Sequence, residues 1–208
     1  MTKRILLGGL GGGFTLFLWG FLSHTVFQLG DAGMSTVEAG QSDALVVATK
    51  AAFKESGLYF FPHFDHAATS KLPKDQQEAV WKAYGERIKS GPSGIIVFKS
   101  ADAPMMSGAQ LGRQFGTDVL VALILALVVS QLHERSKFTF RMLCCSLLGL
   151  LCGLAINVPY WNWYNFPGTF TVAQIADHIL GFTLAGAFLA WLFKPAASPA
   201  PAPAPAQA

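Results

Sequence analysis

The chain has 208 residues, of which 52% are hydrophobic and only 13% are charged, and its formal net charge is +3. Ordinary soluble domains carry about 25% charged residues, and the deficit here is concentrated in four apolar segments, so the composition places the chain among membrane proteins. The sequence has no basic cluster of the kind that binds nucleic acid. Cys144, Cys145 and Cys152 all lie in one apolar segment, which argues against a disulfide framework.

The first apolar segment covers residues 5–29 and follows Lys3 and Arg4. A membrane-spanning helix needs about 20 apolar residues, so residues 1–29 are predicted to form a first transmembrane helix. Its glycines form two GxxxG pairs, Gly8/Gly12 and Gly9/Gly13, which are predicted to let another helix approach closely, within the bundle or from another subunit. A cleaved signal peptide is the alternative, although the apolar run is long for one and no clear cleavage site follows it.

Residues 30–115 are predicted to form a small α+β domain. Helical spacing of apolar residues predicts helices over 42–55 and 74–89, and short β-prone runs predict strands over 58–61 and 94–98. Residues 63–66, which read His-Phe-Asp-His, offer two imidazoles and a carboxylate. These are too few ligands for an ordinary structural zinc site, so the segment is predicted to be a solvated loop that binds no metal.

Three further apolar segments, residues 116–132, 142–158 and 171–193, predict the other transmembrane helices within residues 116–193. The pair Gly149/Gly153 repeats the GxxxG pattern. The connection 159–168 is rich in Trp and Tyr, which concentrate where bilayer meets water, and is predicted to be an interfacial turn or, alternatively, a ligand or partner surface. Residues 194–208 are almost entirely Pro and Ala and are predicted to be a disordered tail.

The distribution of Lys and Arg predicts the orientation of the chain. Short cytoplasmic loops collect these residues, and here they lie at the start of the chain, in the connection 133–141 and at Lys194. Both termini and that connection are therefore predicted to be cytoplasmic, with residues 30–115 on the outer side.

A few polar side chains inside the apolar segments fall toward the predicted outer end of the spans. An ionisable side chain in lipid costs about 2.5–3.5 kcal/mol on insertion scales, so such residues are functional candidates by default. Asp177 and His178 form the sharpest pair, because adjacent helical residues point about 100° apart and one of them is expected to face inward. A hydrogen-bonded cluster that fixes helix register and a binding site for a proton, metal or small ligand are both open. No catalytic residue, metal-ligand set or cofactor motif is predicted. The candidate cluster is His24, Asp118, Asn157, Asp177 and His178.

Three stretches carry a resemblance to one family. They are Trp-Gly-Phe-Leu-Ser-His at 19–24 leading into Leu-Gly-Asp-Ala-Gly at 29–33, Gly-Leu-Tyr-Phe-Phe-Pro at 57–62, and Tyr-Trp-Asn-Trp-Tyr-Asn-Phe-Pro at 160–167. The chain resembles small bacterial four-span membrane proteins of uncharacterised function. The resemblance covers most of the chain except the Pro/Ala tail, and it implies a bacterial inner-membrane protein without assigning an activity.

These features together predict a membrane all-α protein, a four-helix transmembrane bundle with a small α+β extracytoplasmic domain between helices one and two. The expected partners are the bilayer and other membrane subunits or a second copy of the chain, with no nucleic acid. The favoured function is a non-enzymatic accessory or scaffolding protein, because the hydrophilic domain is small and the first span is rich in glycine. A binding or transport protein that uses the polar cluster for a proton, metal or small polar ligand is the alternative, and an enzyme ranks third.

Overall fold

The computed structural model describes residues 2–100, 106–132 and 136–194, so the predicted tail, residues 195–208, lies outside the described part. The strands are β1 (Gly57–Phe61) and β2 (Gly94–Phe98), and a short 3-10 helix covers Leu29–Asp31. In chain order the α-helices are α1 (Thr2–Thr25), α2 (Ala39–Ala52), α3 (His66–Thr69), α4 (Lys74–Ser90), α5 (Gly108–Gln131), α6 (Phe138–Tyr164) and α7 (Gly168–Leu192).

Four of the helices, α1, α5, α6 and α7, are long and apolar enough to cross a membrane. The prediction of four apolar helices is therefore confirmed. The chain divides into two compact units. The first contains α1, α5, the part of α6 that ends at Val158, and α7 from Thr169.

Helix α5 is longer than the apolar segment 116–132 that predicts it, because flanking residues join the helix. The helix begins at Gly108 rather than at residue 116, because a capping box forms ahead of the apolar run. The hydroxyl of Ser107 accepts from the backbone N–H of Gln110 at 3.2 Å, and the side-chain oxygen of Gln110 accepts from the backbone N–H of Ser107 at 2.8 Å. Two N–H groups that helix geometry leaves without partners are thereby satisfied, so the polar residues before the apolar run can be helical.

The end of α6 was predicted wrongly. The helix continues through Pro159 to Tyr164, although the proline has no N–H to donate to the preceding turn. Apolar helices tolerate such a proline more readily than soluble ones. The helix stops where Asn165 adopts a left-handed conformation with φ 57°, a common conformation after a helix C-terminus that suits Asn. The backbone N–H of Phe166 then donates to the carbonyl of Tyr160 at 3.3 Å.

Contacts between helices form the core of the first unit. Gly12 lies against Ala122 and Phe17 against Phe115, so α1 and α5 run antiparallel. On α6 and α7, Ser146 hydrogen-bonds Thr183 at 2.7 Å, and Arg141 of α6 donates to the carbonyl of Phe193, which follows α7. Arg141, predicted to lie in a cytoplasmic connection, is instead buried in the first turn of α6. The buried apolar residues are Leu16, Ala122, Leu125, Ala126, Val129, Cys145, Ala185, Leu189 and Ala190.

The second unit consists of residues 33–105 and 159–168, described here except for 101–105. The predicted order of helix, strand, helix and strand is present, with α2 three residues earlier at each end than the predicted 42–55. The strands pair antiparallel in a two-stranded sheet, with Leu58 opposite Val97 and Phe60 opposite Ile95. On the other face of the sheet, Phe53 packs its ring 4.2 Å from that of Tyr59 and 5.3 Å from that of Phe98.

Candidate functional site

Asp177 of α7 is held against α1 by an indole and an imidazole. Its Oδ1 accepts a hydrogen bond from Nε1 of Trp19 at 2.9 Å, and the same N–H lies 3.2 Å from the backbone carbonyl of Asp177. Its Oδ2 lies 3.8 Å from Nε2 of His24. The three residues Trp19, His24 and Asp177 are called the Asp177 cluster below. The Asp177 side chain is 15% exposed and that of His24 is 50% exposed, so the carboxylate is largely enclosed and the imidazole is not.

Glycines make room for both partners of Asp177. Gly30 is buried, and a Cβ at this position would collide with the ring of His24. The chain reaches Gly30 through Gln28, whose left-handed φ of 53° turns it back after α1. On α7, a Cβ at Gly181 would lie 2.9 Å from Cδ1 of Trp19. Gly181 stands one turn after Asp177, so α7 provides both the acceptor for the indole N–H and the space for its ring.

The cluster is suited to joining two helices. One carboxylate oxygen has an N–H donor, and the other faces an imidazole that forms an ion pair with it when protonated. At 3.8 Å this second contact is longer than a hydrogen bond, so the indole contact is the more directional of the two. A carboxylate within an apolar helix is costly without partners, and these contacts reduce that cost.

The other predicted cluster residues hydrogen-bond within their own helices. His178 places Nδ1 2.7 Å from the carbonyl of Gln174, and since a carbonyl only accepts, that nitrogen carries the proton. Asn157 is buried and donates to the carbonyl of Gly153 at 2.9 Å. Asp118 accepts from Gln114 at 3.0 Å. Of the five predicted residues, the contacts of the described chain bring together His24 and Asp177.

Trp19 is the member of the cluster that sequence reasoning missed. Tryptophan near the end of an apolar segment is typical of the bilayer interface, and that general preference obscured a specific partner. A detectable signal was present, since a partly buried indole usually finds an acceptor for its N–H and few carboxylates occur in the apolar segments.

The predicted packing glycines all lie against neighbouring helices. A Cβ at Gly13 would meet the backbone of Val119 on α5, 2.6 Å from Cα and 2.8 Å from N, and Gly8, Gly9 and Gly12 face side chains of the same helix. A Cβ at Gly149 of α6 would lie 2.6 Å from the carbonyl oxygen of His178, and one at Gly153 would lie 3.1 Å from Cα of Ile175. Gly11, on a different face of α1 from Gly13, lies against Phe188 of α7.

The segment at residues 63–66 is not wholly a loop, because α3 begins at His66. The side chain of Asp65 caps this helix by accepting from the backbone N–H of Ala68 at 2.8 Å. Phe64 packs its ring 4.3 Å from that of Trp81 and 4.5 Å from that of Tyr84 on α4. In residues 2–100, 106–132 and 136–194, no group of three or more His, Cys, Asp and Glu side chains is arranged to hold a metal ion.

Comparison of the chain with known protein families, with curated proteins and with solved structures finds no match.

Proposed function

We propose that this chain is a four-span accessory or scaffolding protein of a bacterial inner membrane, working as a subunit of a larger membrane assembly and not as an enzyme. The four long apolar helices support the membrane assignment. The bacterial location is supported by the resemblance of the stretches at 19–33, 57–62 and 160–167 to small bacterial four-span proteins.

The proposed orientation places both termini in the cytoplasm and the second unit on the outer side. It is supported by Lys3 and Arg4 before α1, by Lys137 and Arg141 near the start of α6, and by Lys194 after α7. With four crossings, these basic positions all fall on one side.

The observation that carries the accessory role is helix α2. None of its 14 residues is buried, and it exposes three consecutive aliphatic side chains, Leu45, Val46 and Val47, the last of them 69% exposed. A helix in a small water-facing domain normally buries an apolar stripe against the rest of the fold. We infer that α2 binds a second protein, either another membrane subunit or a second copy of this chain.

The Asp177 cluster supports a structural role over transport of a proton or small ligand. Asp177 already contacts Trp19 and His24, and these contacts join α1 to α7. A transporter of the common type places its site at interrupted helices near the midplane, whereas Pro159 lies only five residues from the end of a continuous α6.

Photo-crosslinking from α2 tests the proposed role. A photoreactive residue at Val47 is expected to yield one defined protein adduct in native membranes, and the same residue at the exposed Lys82 of α4 is expected to yield none. The double substitution Val46→Ser with Val47→Ser should abolish the assembly seen after purification in mild detergent, while the exposed Ala79→Ser on α4 should leave it intact. A monomer without any stoichiometric protein partner, together with no protein adduct from Val47, would contradict the accessory role.

A further inference from the structure

Contacts between helices gather four helix termini at one end of the first unit. Gly8 of α1 lies against Ala126 of α5 and Leu189 of α7. Arg141 of α6 donates to the carbonyl of Phe193, which follows α7. The starts of α1 and α6 and the ends of α5 and α7 therefore lie at the same end of the unit, which is called the Lys194 end below. It comprises residues 2–12, 122–132, 136–150 and 183–194.

The Lys194 end is cationic. Its described residues, in the four ranges just given, contain no Asp or Glu. The opposite end of the same unit differs in charge, since it carries the carboxylates of Asp31, Asp118 and Asp177 as well as the guanidinium of Arg113. The Lys194 end is therefore the part of the first unit that favours an anionic ligand. Its exposed basic residues are Lys3, Arg4, Lys137 and Lys194.

Two of these lysines flank the contact between α6 and α7. The carbonyl of Lys137 accepts from the backbone N–H of Arg141 at 3.2 Å, so the two residues are one helical turn apart. Lys194 directly follows Phe193, whose carbonyl accepts from the buried side chain of Arg141. Arg141 therefore holds both lysines at one junction between two helices. Basic sites between membrane helices at the membrane surface bind anionic lipid headgroups.

Exposed aromatic rings lie beside these lysines. Trp191 is 56% exposed, and its carbonyl accepts from the backbone N–H of Lys194 at 3.4 Å, so one turn separates the two residues. Phe138, which follows Lys137, is 47% exposed. A free phosphate ion would use the lysines alone, whereas a phospholipid also brings acyl chains that contact exposed rings. The combination of charge and exposed rings favours a lipid.

We propose that the Lys194 end binds an anionic phospholipid at the junction of α6 and α7. Lys137 and Lys194 contact the headgroup phosphate, and Trp191 contacts the upper part of an acyl chain. Lys3 and Arg4 of α1 add to the positive potential at the same end. The proposal rests on the membrane crossing of the four helices in the proposed function, and it is independent of any partner of α2.

Electron paramagnetic resonance of spin-labelled lipids tests the proposal. The full chain is reconstituted into phosphatidylcholine bilayers that contain a trace of phosphatidylglycerol or phosphatidylcholine with a nitroxide near the end of one acyl chain. Lipid held against the protein is motionally restricted, so the restricted fraction of the spectrum measures association. This fraction is expected to be larger for the anionic phosphatidylglycerol, and the difference should shrink in high salt, which screens the charges.

Substitution of the two lysines tests whether the junction of α6 and α7 is the site. Lys137→Gln with Lys194→Gln should remove most of the preference, since each basic residue near an anionic surface favours binding by about fivefold. Arg113→Gln is the matched control, because Arg113 is exposed at the opposite end of the same unit, and it should leave the preference unchanged. An undiminished preference in the double variant, or an equal loss in Arg113→Gln, would overturn the site.

Other outcomes separate lipid binding from the membrane crossing and from a free-phosphate site. Equal restriction of both lipids by the parent chain would overturn the proposal and leave the crossing intact. A spectrum without a restricted component for either lipid would overturn the crossing as well. Loss of the preference in excess inorganic phosphate, but not in chloride of the same ionic strength, would assign the site to free phosphate and overturn the lipid.

Discussion

At the scale of single residues, the partners of Asp177 show why a list of intramembrane polar groups is only a partial guide. The sequence places His24 and Asp177 at similar predicted depth, and the structure brings these two together. The sequence does not reveal that the side chains of His178 and Asn157 hydrogen-bond to backbone carbonyls of their own helices, because these contacts depend on side-chain rotamers and helix rotation. Trp19 was within reach of sequence reasoning, whereas the space that Gly181 leaves for its ring requires the register of two helices.

Substitutions at Asp177 and at Trp19 measure how much the hydrogen bond between their side chains contributes to the free energy of unfolding. Asp177→Asn retains an oxygen that accepts from the Trp19 N–H, so its effect on the free energy of unfolding should be small. Asp177→Leu removes the acceptor and should destabilise by about 1 kcal/mol, limited because the N–H keeps the backbone carbonyl of residue 177.

Thermal unfolding in detergent of Asp177→Leu, Trp19→Phe and the double variant measures the coupling. The expected coupling energy is about 0.5–1.5 kcal/mol, since both single changes remove the same hydrogen bond. Strict additivity of the two changes would show that the contact contributes nothing to the association of α1 with α7.

At the scale of elements, apolar runs locate helices better than they locate helix ends. Hydrophobicity alone placed the start of α5 at residue 116, but the Ser107–Gln110 capping box extends the helix to Gly108. The connection to α7 was predicted to begin at Pro159, but α6 continues to Tyr164 and ends where Asn165 adopts a left-handed conformation. Caps and left-handed residues are local events that a hydropathy pattern does not record. The strands, by contrast, were predicted almost to the residue, because Gly57 and Pro62 bound the first and Gly94 begins the second.

The contact between α1 and α5 predicts opposite effects for two glycines of the same helix. Gly13→Ala should destabilise the fold by about 1–3 kcal/mol, because the new Cβ meets the backbone of Val119, which cannot move without separating the helices. A Cβ at Gly20 meets nothing within 4 Å, so Gly20→Ala should stabilise α1 by about 0.5–1 kcal/mol through the higher helix propensity of alanine.

Melting temperatures in the same detergent test these two effects. The melting temperature of Gly13→Ala should lie below that of the parent, and that of Gly20→Ala above it. Gly116→Ala on α5 is a second control, since its Cβ also meets nothing within 4 Å. Equal melting temperatures for Gly13→Ala and Gly20→Ala would mean that the glycines of α1 do not set the distance between the helices.

At the scale of the whole molecule, the sequence predicts four apolar helices and a separate helix–strand–helix–strand unit, and both are present. Composition is enough to predict the four apolar helices, because a run of about 20 apolar residues is the length that a membrane-spanning helix requires. Which helices pair, and which faces of the second unit stay exposed, depends on tertiary contacts. Helical and strand periodicity predicts an apolar face but not whether the chain itself covers it. The unburied α2 and the exposed side chains of Leu58 and Val97 on the two-stranded sheet were for that reason not predicted.

The central claim is that the four helices cross the bilayer and place the second unit on the side opposite both termini. Single cysteines at Ser70 and at Ser136, in a background in which the three native cysteines are alanine, test it directly. Ser70 is exposed in the second unit, and Ser136 precedes α6. A membrane-impermeant maleimide is added to spheroplasts, whose outer membrane has been removed. It is expected to label Ser70→Cys fully and to label Ser136→Cys only after the inner membrane is permeabilised. Labelling of Ser136→Cys in spheroplasts with a sealed inner membrane would contradict the claim. So would failure of the maleimide to label Ser70→Cys until that membrane is permeabilised.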